Sequence, residues 1–332
     1  MDPRFTIHKT GGLILGSSIL MLSVVLSGCA SMAQSQPPLK AIEDAHLFGV
    51  TRLEFNPTGE KIASAGFRGD LAIWSVPDGS PTLQMKLYRQ PVRGLAWVDQ
   101  VRLITASESG GLRVVDTLRS KVVSRMQAGG RLTALAYSPR YRRIYTGHGN
   151  GQVNAYSYPD LELTNSYRLS GELLALALSE DGSSIAVSND SGRVVLLDRR
   201  LDLLRELEQP DNDAVSLRFS PDGRELAAGA WYELYYWDLN TGRIRQQDTE
   251  HWGAVISIDY SPVEPHLVSI GRHSDANIRL ILPTTGEVVR RLQVHRLCGA
   301  VVRFSPNGRY IASGSDDASI RFYDLNGYNP EK

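Results

Sequence analysis

From about residue 50 onward, apolar and polar side chains alternate in short runs that stop at turn residues. Leu53/Phe55, Thr133/Leu135/Tyr137, Leu174/Leu176/Leu178, Leu217/Phe219, Ile256/Ile258/Tyr260 and Val302/Phe304 all keep period two, the mark of a half-buried strand. Turn residues follow each run: Asn56-Pro57-Thr58-Gly59, Ser138-Pro139, Ser179-Glu180-Asp181-Gly182, Ser220-Pro221-Asp222-Gly223, Ser261-Pro262 and Ser305-Pro306-Asn307-Gly308. An alternating run, a Pro or Asp-Gly turn and a second β-rich run predict a hairpin. A third run closes each unit, ending at Ser75, Asp116, Ser157, Asp198, Asp238, Leu282 and Asp324, so the spacings are 41, 41, 41, 40, 44 and 42. Seven copies at one period predict an internally repeated, all-β chain.

These copies resemble the WD-repeat family, whose units of about 40 to 45 residues each supply the four strands of a propeller blade. Trp237-Asp238 matches the eponymous dipeptide, while Tyr323-Asp324, Leu197-Asp198 and Val115-Asp116 keep only the aspartate. The resemblance covers residues 39–326 and implies a seven-bladed β-propeller in one domain, with 327–332 as a tail. It also implies an inner hydrogen-bond chain of His, Ser, Asp and Trp. Blade seven supplies His295, Ser313, Asp317 and, in place of Trp, Tyr323; blade one supplies His46, Ser64 and Trp74, with Arg68 where the Asp belongs. Blade six has His251, Ser269 and Asp275, with Ile281 in place of Trp, and the other four blades keep fragments and are expected to rely on packing. In the family each repeat begins with the outer strand of the preceding blade, so Leu39 to Asp44 is expected to pair with blade seven and close the ring, which removes the sheet edges that invite aggregation.

Composition narrows the remaining choices. The 332 residues carry 36 Lys+Arg against 36 Asp+Glu, so no general electrostatic drive pulls the chain to nucleic acid or to an anionic membrane surface. Two cysteines do not make a disulfide scaffold. The first residues read as a secretory signal: Arg4, His8 and Lys9 precede the apolar run Leu13 to Leu26, which is shorter than the roughly 20 residues a bilayer core requires. The Leu26-Ser27-Gly28-Cys29 that follows resembles the lipobox of bacterial lipoproteins. That resemblance implies cleavage after residue 28 and acylation of Cys29. Three acyl chains on one residue hold far more firmly than the single chain that anchors only marginally. Ala30, where an aspartate would favour inner-membrane retention, implies the periplasmic face of the outer membrane. Residues 29–38 then form the lipidated cysteine and a flexible tether, of which Ala30 to Pro38 reaches about 17 Å as a coil. Without residues 1–28 the chain keeps 34 basic and 35 acidic residues. Cys298, in an apolar context, is expected to be a buried structural thiol.

Candidate chemistry is sparse. No nucleophile elbow, zinc-protease motif, paired Cys-x-x-Cys or phosphate loop is present. His148, His266 and His273 fall in three different turns, so no metal site and no cofactor are expected. Loops on a rigid scaffold are where binding resides, and those of blades five and six are rich in the residue types that dominate interfaces, Trp, Tyr and Arg. Trp231, Tyr232, Trp252, Arg272 and His273 are the leading candidates for partner binding, with Phe67, Arg68 and Arg89 on the same expected face in blades one and two. The expectation is a monomeric, non-enzymatic protein-interaction platform, tethered by lipid in the cell envelope, whose partner is an envelope protein or peptide. The alternatives are an envelope hydrolase or lyase using the central channel, which requires carboxylates or histidines converging there, and a small-ligand sensor.

Overall fold

The computed structural model describes residues 35–272 and 275–326; the signal segment, Cys29, His273 and the tail 327–332 lie outside the described residues. Seven four-stranded antiparallel sheets follow one another. Six of them begin with one of the alternating runs, as in Val50–Phe55, Lys61–Gly66, Asp70–Ser75 and Pro81–Lys86 of blade one, and blade two begins with Val92–Trp97. The first strands of adjacent blades touch one another in sequence around the ring. That of blade one also meets Gly299–Phe304 of blade seven, which makes the circuit complete. Thr51 carries this contact in detail, donating its hydroxyl to the Val92 carbonyl of the next blade at 2.9 Å.

Closure follows the expected route. Lys40–Ile42 is the fourth strand of the sheet formed by Gly299–Phe304, Tyr310–Ser315 and Ile320–Asp324, with Lys40 opposite Phe322 and Ile42 opposite Ile320. Docking begins earlier than the tether expectation allowed. Gln36 is buried, bridges Leu292, and donates its side-chain amide to the Asp324 carbonyl at 2.7 Å.

The core is a set of seams rather than one centre. Each of the seven boundaries between neighbouring blades holds its own apolar cluster; that of blades seven and one contains Ile42, Phe55, Trp74, Val301 and Phe322, and that of blades four and five contains Leu196, Leu207, Phe219 and Trp237. The outermost strands face solvent, Leu203–Glu206 along its whole length. The spacing of 44 in blade six has a local cause, since the turn from Gly271 to Ile278 is longer than the Gly66-to-Asp70 turn of blade one. Cys298 departs from expectation: it is half-buried in the loop before Gly299, where its carbonyl accepts from Ser315 Oγ at 2.8 Å.

Candidate functional site

The hydrogen-bond chains come first, because they fix the loops that carry the exposed residues. In blade one His46 Nε2 lies 2.7 Å from Ser64 Oγ, which also accepts from Trp74 Nε1 at 2.7 Å, and His46 Nδ1 meets Asp70 Oδ2. With a proton on Nδ1 the ring donates to Asp70 and accepts from Ser64, while Asp70 Oδ1 stays buried without a hydrogen-bond partner. Asp70 therefore provides the carboxylate that seemed missing at Arg68; Arg68 is two residues earlier, exposed at the tip of the turn. Gly66 lets the imidazole lie against the second strand, since a Cβ there would come within 2.8 Å of His46 Cβ.

Blade six repeats the arrangement, His251 bonding Asp275 Oδ2 at 2.7 Å and Ser269 Oγ at 2.8 Å. Ile281 gives the chain no indole, and the buried Arg279 guanidinium reaches Asp275 Oδ2 at 3.3 Å. In blade seven His295 bonds Ser313 at 2.7 Å and Ser319 at 2.9 Å, and Ser319 Oγ donates to Asp317 at 2.6 Å. The Tyr323 hydroxyl donates to the Gln293 carbonyl at 2.7 Å.

Three of the blades expected to keep only fragments have substitute networks. In blade two Tyr88 takes the histidine position, its hydroxyl 2.8 Å from Thr105 Oγ1 and its ring under Arg113. In blade three His148 is no free turn residue: it is buried and bonds Thr146 at 2.9 Å and the Gly129 carbonyl at 3.0 Å. In blade five Asn212 donates to Glu233 at 2.9 Å, and Tyr235 donates its hydroxyl to the same carboxylate.

Burial holds the imidazoles of His148, His251 and His295 below their ordinary value of 6.5. Burial alone would raise Asp275 and Asp317, but their bonds to His251 and His295 outweigh it and hold both well below the usual carboxylate range. Groups with depressed folded-state values bind protons more readily once unfolded, so stability drains away as pH falls. The melting temperature is expected to decline as pH drops below about 6.5, the ordinary imidazole value, and more steeply below about 4. Calorimetric scans over a pH series check this; a melting temperature constant down to the carboxylate range contradicts it.

The same carboxylates position the loop face. Asp275 Oδ2 accepts from the Trp252 backbone N–H at 2.9 Å, and Asp317 Oδ2 from that of Arg296 at 2.8 Å. Trp252 stands 77% exposed on this support, with Tyr232 at 52% and Trp231 at 38%. These three are brought together: Tyr232 N–H donates to the Gly253 carbonyl at 3.1 Å, Trp231 bridges Ala254, and the Trp231 and Tyr232 rings lie 5.8 Å apart. Arg272 is adjacent through its backbone, which donates to the Ala254 carbonyl at 2.9 Å, but its guanidinium turns to blade seven and pairs with Asp316 at 3.0 Å. Phe67 is half-buried, and Arg68 and Arg89 are exposed.

Leu47 and Phe48, in the loop before the first strand of blade one, and Leu297, in the matching loop of blade seven, are also largely exposed. In blade one Arg68 lies 5.8 Å from the Phe48 ring. The signal of Leu47, Phe48 and Leu297 in the sequence was positional: each falls in the same loop as Trp252, counted back from the next strand.

The channel is the second feature, with a volume of about 1090 Å³. Its wall carries Glu54 and Asp259, the convergent carboxylates the hydrolase alternative asked for. Each is bound by an arginine: Arg303 Nε reaches Glu54 at 3.3 Å and Arg218 Nε reaches Asp259 at 3.0 Å. Burial pushes the Glu54 carboxyl up against the opposing pull of Arg303. His46, His148, His251 and His295 are committed to the blade networks and do not line it. Among the described residues no group of three histidine, cysteine or carboxylate side chains converges as a metal set.

Residues 286–324 match the family model described as WD domain, G-beta repeat, which is blade seven from the end of blade six to the last strand. The chain is similar to Protein HIR1 of Kluyveromyces lactis, 26% identical over 203 residues that cover 56% of this chain and 21% of that protein. It is similar to Meiotic fizzy-related protein 1 of Schizosaccharomyces pombe, 26% identical over 140 residues, 40% of this chain and 33% of the relative. COMPASS component SWD3 of Saccharomyces cerevisiae is 28% identical over 161 residues, 46% of this chain and 51% of the relative. The chain thus spans between a fifth and about half of the length of these curated relatives, all three of them from yeasts.

Proposed function

We propose that this protein is a non-enzymatic platform that holds a protein or peptide on the loop face of its propeller, tethered by lipid at Cys29 on the periplasmic side of a bacterial outer membrane. The observation that carries the binding reading is the cluster of Trp231, Tyr232 and Trp252, with Leu297, Leu47 and Phe48 exposed on the same end of the ring. Large aromatic side chains bury much area at low conformational cost, which makes them the anchors of interfaces. Their backbones are already fixed by Asp275 and by the pairing of Trp231 with Ala254, so little order remains to be imposed on binding. The WD repeat of blade seven supports a protein-binding role, as does the similarity to a protein named as a component of COMPASS. The tether rests on Leu26-Ser27-Gly28-Cys29 after a basic and then apolar start.

The test is crosslinking in membranes of a Gram-negative host, with partners identified by mass spectrometry. The doubly substituted Trp231→Ala, Trp252→Ala protein is expected to lose its crosslinked partner while melting within a few degrees of the unaltered protein. Retention of the same partner by that variant overturns the binding face. Cys29→Ser is expected to move the protein from the membrane to the soluble fraction; if it stays with the membrane, the tether falls.

A further inference from the structure

The channel wall is chemically divided. Aligning the innermost strands on Phe55, Trp97, Tyr137, Leu178, Phe219, Tyr260 and Phe304, the last apolar residue of each, places Arg52 and Glu54 of blade one level with Ser216 and Arg218 of blade five and with Ser257 and Asp259 of blade six. Blades two, three and four carry only Gly94, Ala96, Ala134, Ala136, Ala175 and Ala177 at these levels. All twelve residues line the one cavity. At these two levels one half is therefore ionic and the other small and apolar, and the small residues leave the space. Arg93, Arg140, Glu180 and Asp181 line the cavity at other levels.

In the ionic half Arg218 is held by Asp259 at 3.0 Å and Arg303 by Glu54 at 3.3 Å, and Arg93, on the innermost strand of blade two, is held by Glu108 at 2.8 Å. Arg52 has no carboxylate among the described residues. Its Nε and Nη1 donate to the carbonyls of Arg93 and Thr51, at 2.8 and 2.7 Å, and Nη2 has no hydrogen-bond partner there. Burial, reinforced by the neighbouring charges of Arg93, Arg303, Arg218 and Arg272, pushes the Arg52 guanidinium down to about 9. Arg52 is half-buried, so its unpaired Nη2 can be reached from the cavity, and its fork geometry matches a carboxylate.

We propose that the central channel binds a small organic carboxylate, its anionic head on the Arg52 guanidinium and its apolar body against the alanine and glycine wall of blades two to four. Inorganic phosphate has no apolar body to lay against that wall, so it is expected to bind more weakly than a carboxylate that has one. The volume is ample for such a ligand, since small-molecule pockets run to about 1,000 Å³. The site is separate from the loop face and stands whether or not that face binds a protein.

The experiment is titration calorimetry on the full chain in detergent with benzoate, inorganic phosphate and benzyl alcohol as probes. Benzoate is expected to bind, phosphate more weakly, and benzyl alcohol not measurably. Arg52→Gln is expected to weaken benzoate at least about tenfold, the loss of one charge-assisted contact, while melting no lower than the unaltered protein. Ala136→Leu, which fills the apolar half and leaves every charge in place, should weaken benzoate as well, and it decides the matter if Arg52→Gln fails to fold. No benzoate binding at millimolar concentration, unchanged affinity in Arg52→Gln or in Ala136→Leu, or phosphate binding as tightly as benzoate overturns the proposal. Trp252→Ala should leave benzoate affinity unchanged; if it abolishes binding, the ligand sits on the loop face and the channel site is wrong.

Discussion

A chain beginning at Glu43 should melt at a lower temperature and aggregate, whereas one beginning at Gln34 should stay monomeric and melt in one transition. The difference is the closing strand. Without Lys40–Ile42 the Ile320–Asp324 strand presents a bare row of backbone donors and acceptors, the template on which another chain can pair. Packing is lost too, because Ile42 belongs to the seam shared by blades seven and one. So are the bonds from Leu39 N–H to the Phe322 carbonyl at 2.7 Å and from Gln36 to Asp324. Losing a buried Ile side chain alone costs about 2–5 kcal/mol, so the whole strand should lower the melting temperature by about 10–20 °C. A synthetic peptide spanning residues 35–44, added in trans, should restore much of the loss. Light scattering and calorimetry read both effects. If the shorter chain remains monomeric with an unchanged transition, the ring does not depend on this strand.

That strand was legible from sequence only by way of the repeat. Lys40-Ala41-Ile42 is too short for its own periodicity to announce it, and it becomes visible only through the family resemblance, in which each repeat begins with the outer strand of the preceding blade. The innermost and second strands needed no such help, because one face of each packs into a seam and the alternation is the direct imprint of that burial. The inner hydrogen-bond chains were legible where the residue types persisted, in blades one, six and seven. They were hidden where a different group does the same work. Tyr88 satisfies Thr105 as a histidine would, and His148 reaches Thr146 from the end of its own strand. Asp70 escaped notice because the carboxylate enters from the start of the third strand, two residues after the turn position assigned to it.

The channel charges were hidden for a different reason. Arg52, Glu54, Arg218, Asp259 and Arg303 are each a single polar residue in an alternating run, and in one strand such a residue reads as solvent-facing. Only the closure of the ring turns that face inward, so that polar positions from four blades meet across a shared cavity. Superimposing the runs on their final residues would have stacked these positions in two columns, a signal that exists in the sequence once the number of blades is known. The loop face behaves oppositely: its aromatic residues stand out by composition, but whether they pack inward or stand exposed depends on the turn that holds them.

Two tryptophans six residues apart show how far those fates diverge. Trp237 is fully buried between blades four and five, among Leu207, Leu217, Phe219 and Tyr235, and its indole donates to the Glu208 carbonyl at 2.8 Å. The position that holds Ser64 in blade one is Ala228 here, so the indole is satisfied across the seam instead of within its own blade. Trp237→Ala removes both that bond and the largest buried side chain of the seam, and should cost about 3–5 kcal/mol. Trp231→Ala changes a partly exposed residue on the loop face and should cost under about 1 kcal/mol. Denaturant titration of the two variants measures the contrast, with the midpoint moving strongly for the first and little for the second. Equal, large losses would mean that Trp231 covers its own blade and is not presented to a partner. A small loss at Trp237 would mean that the seam repacks, and that blades four and five are held mainly by their backbone ladders and the polar network of Asn212, Glu233 and Tyr235.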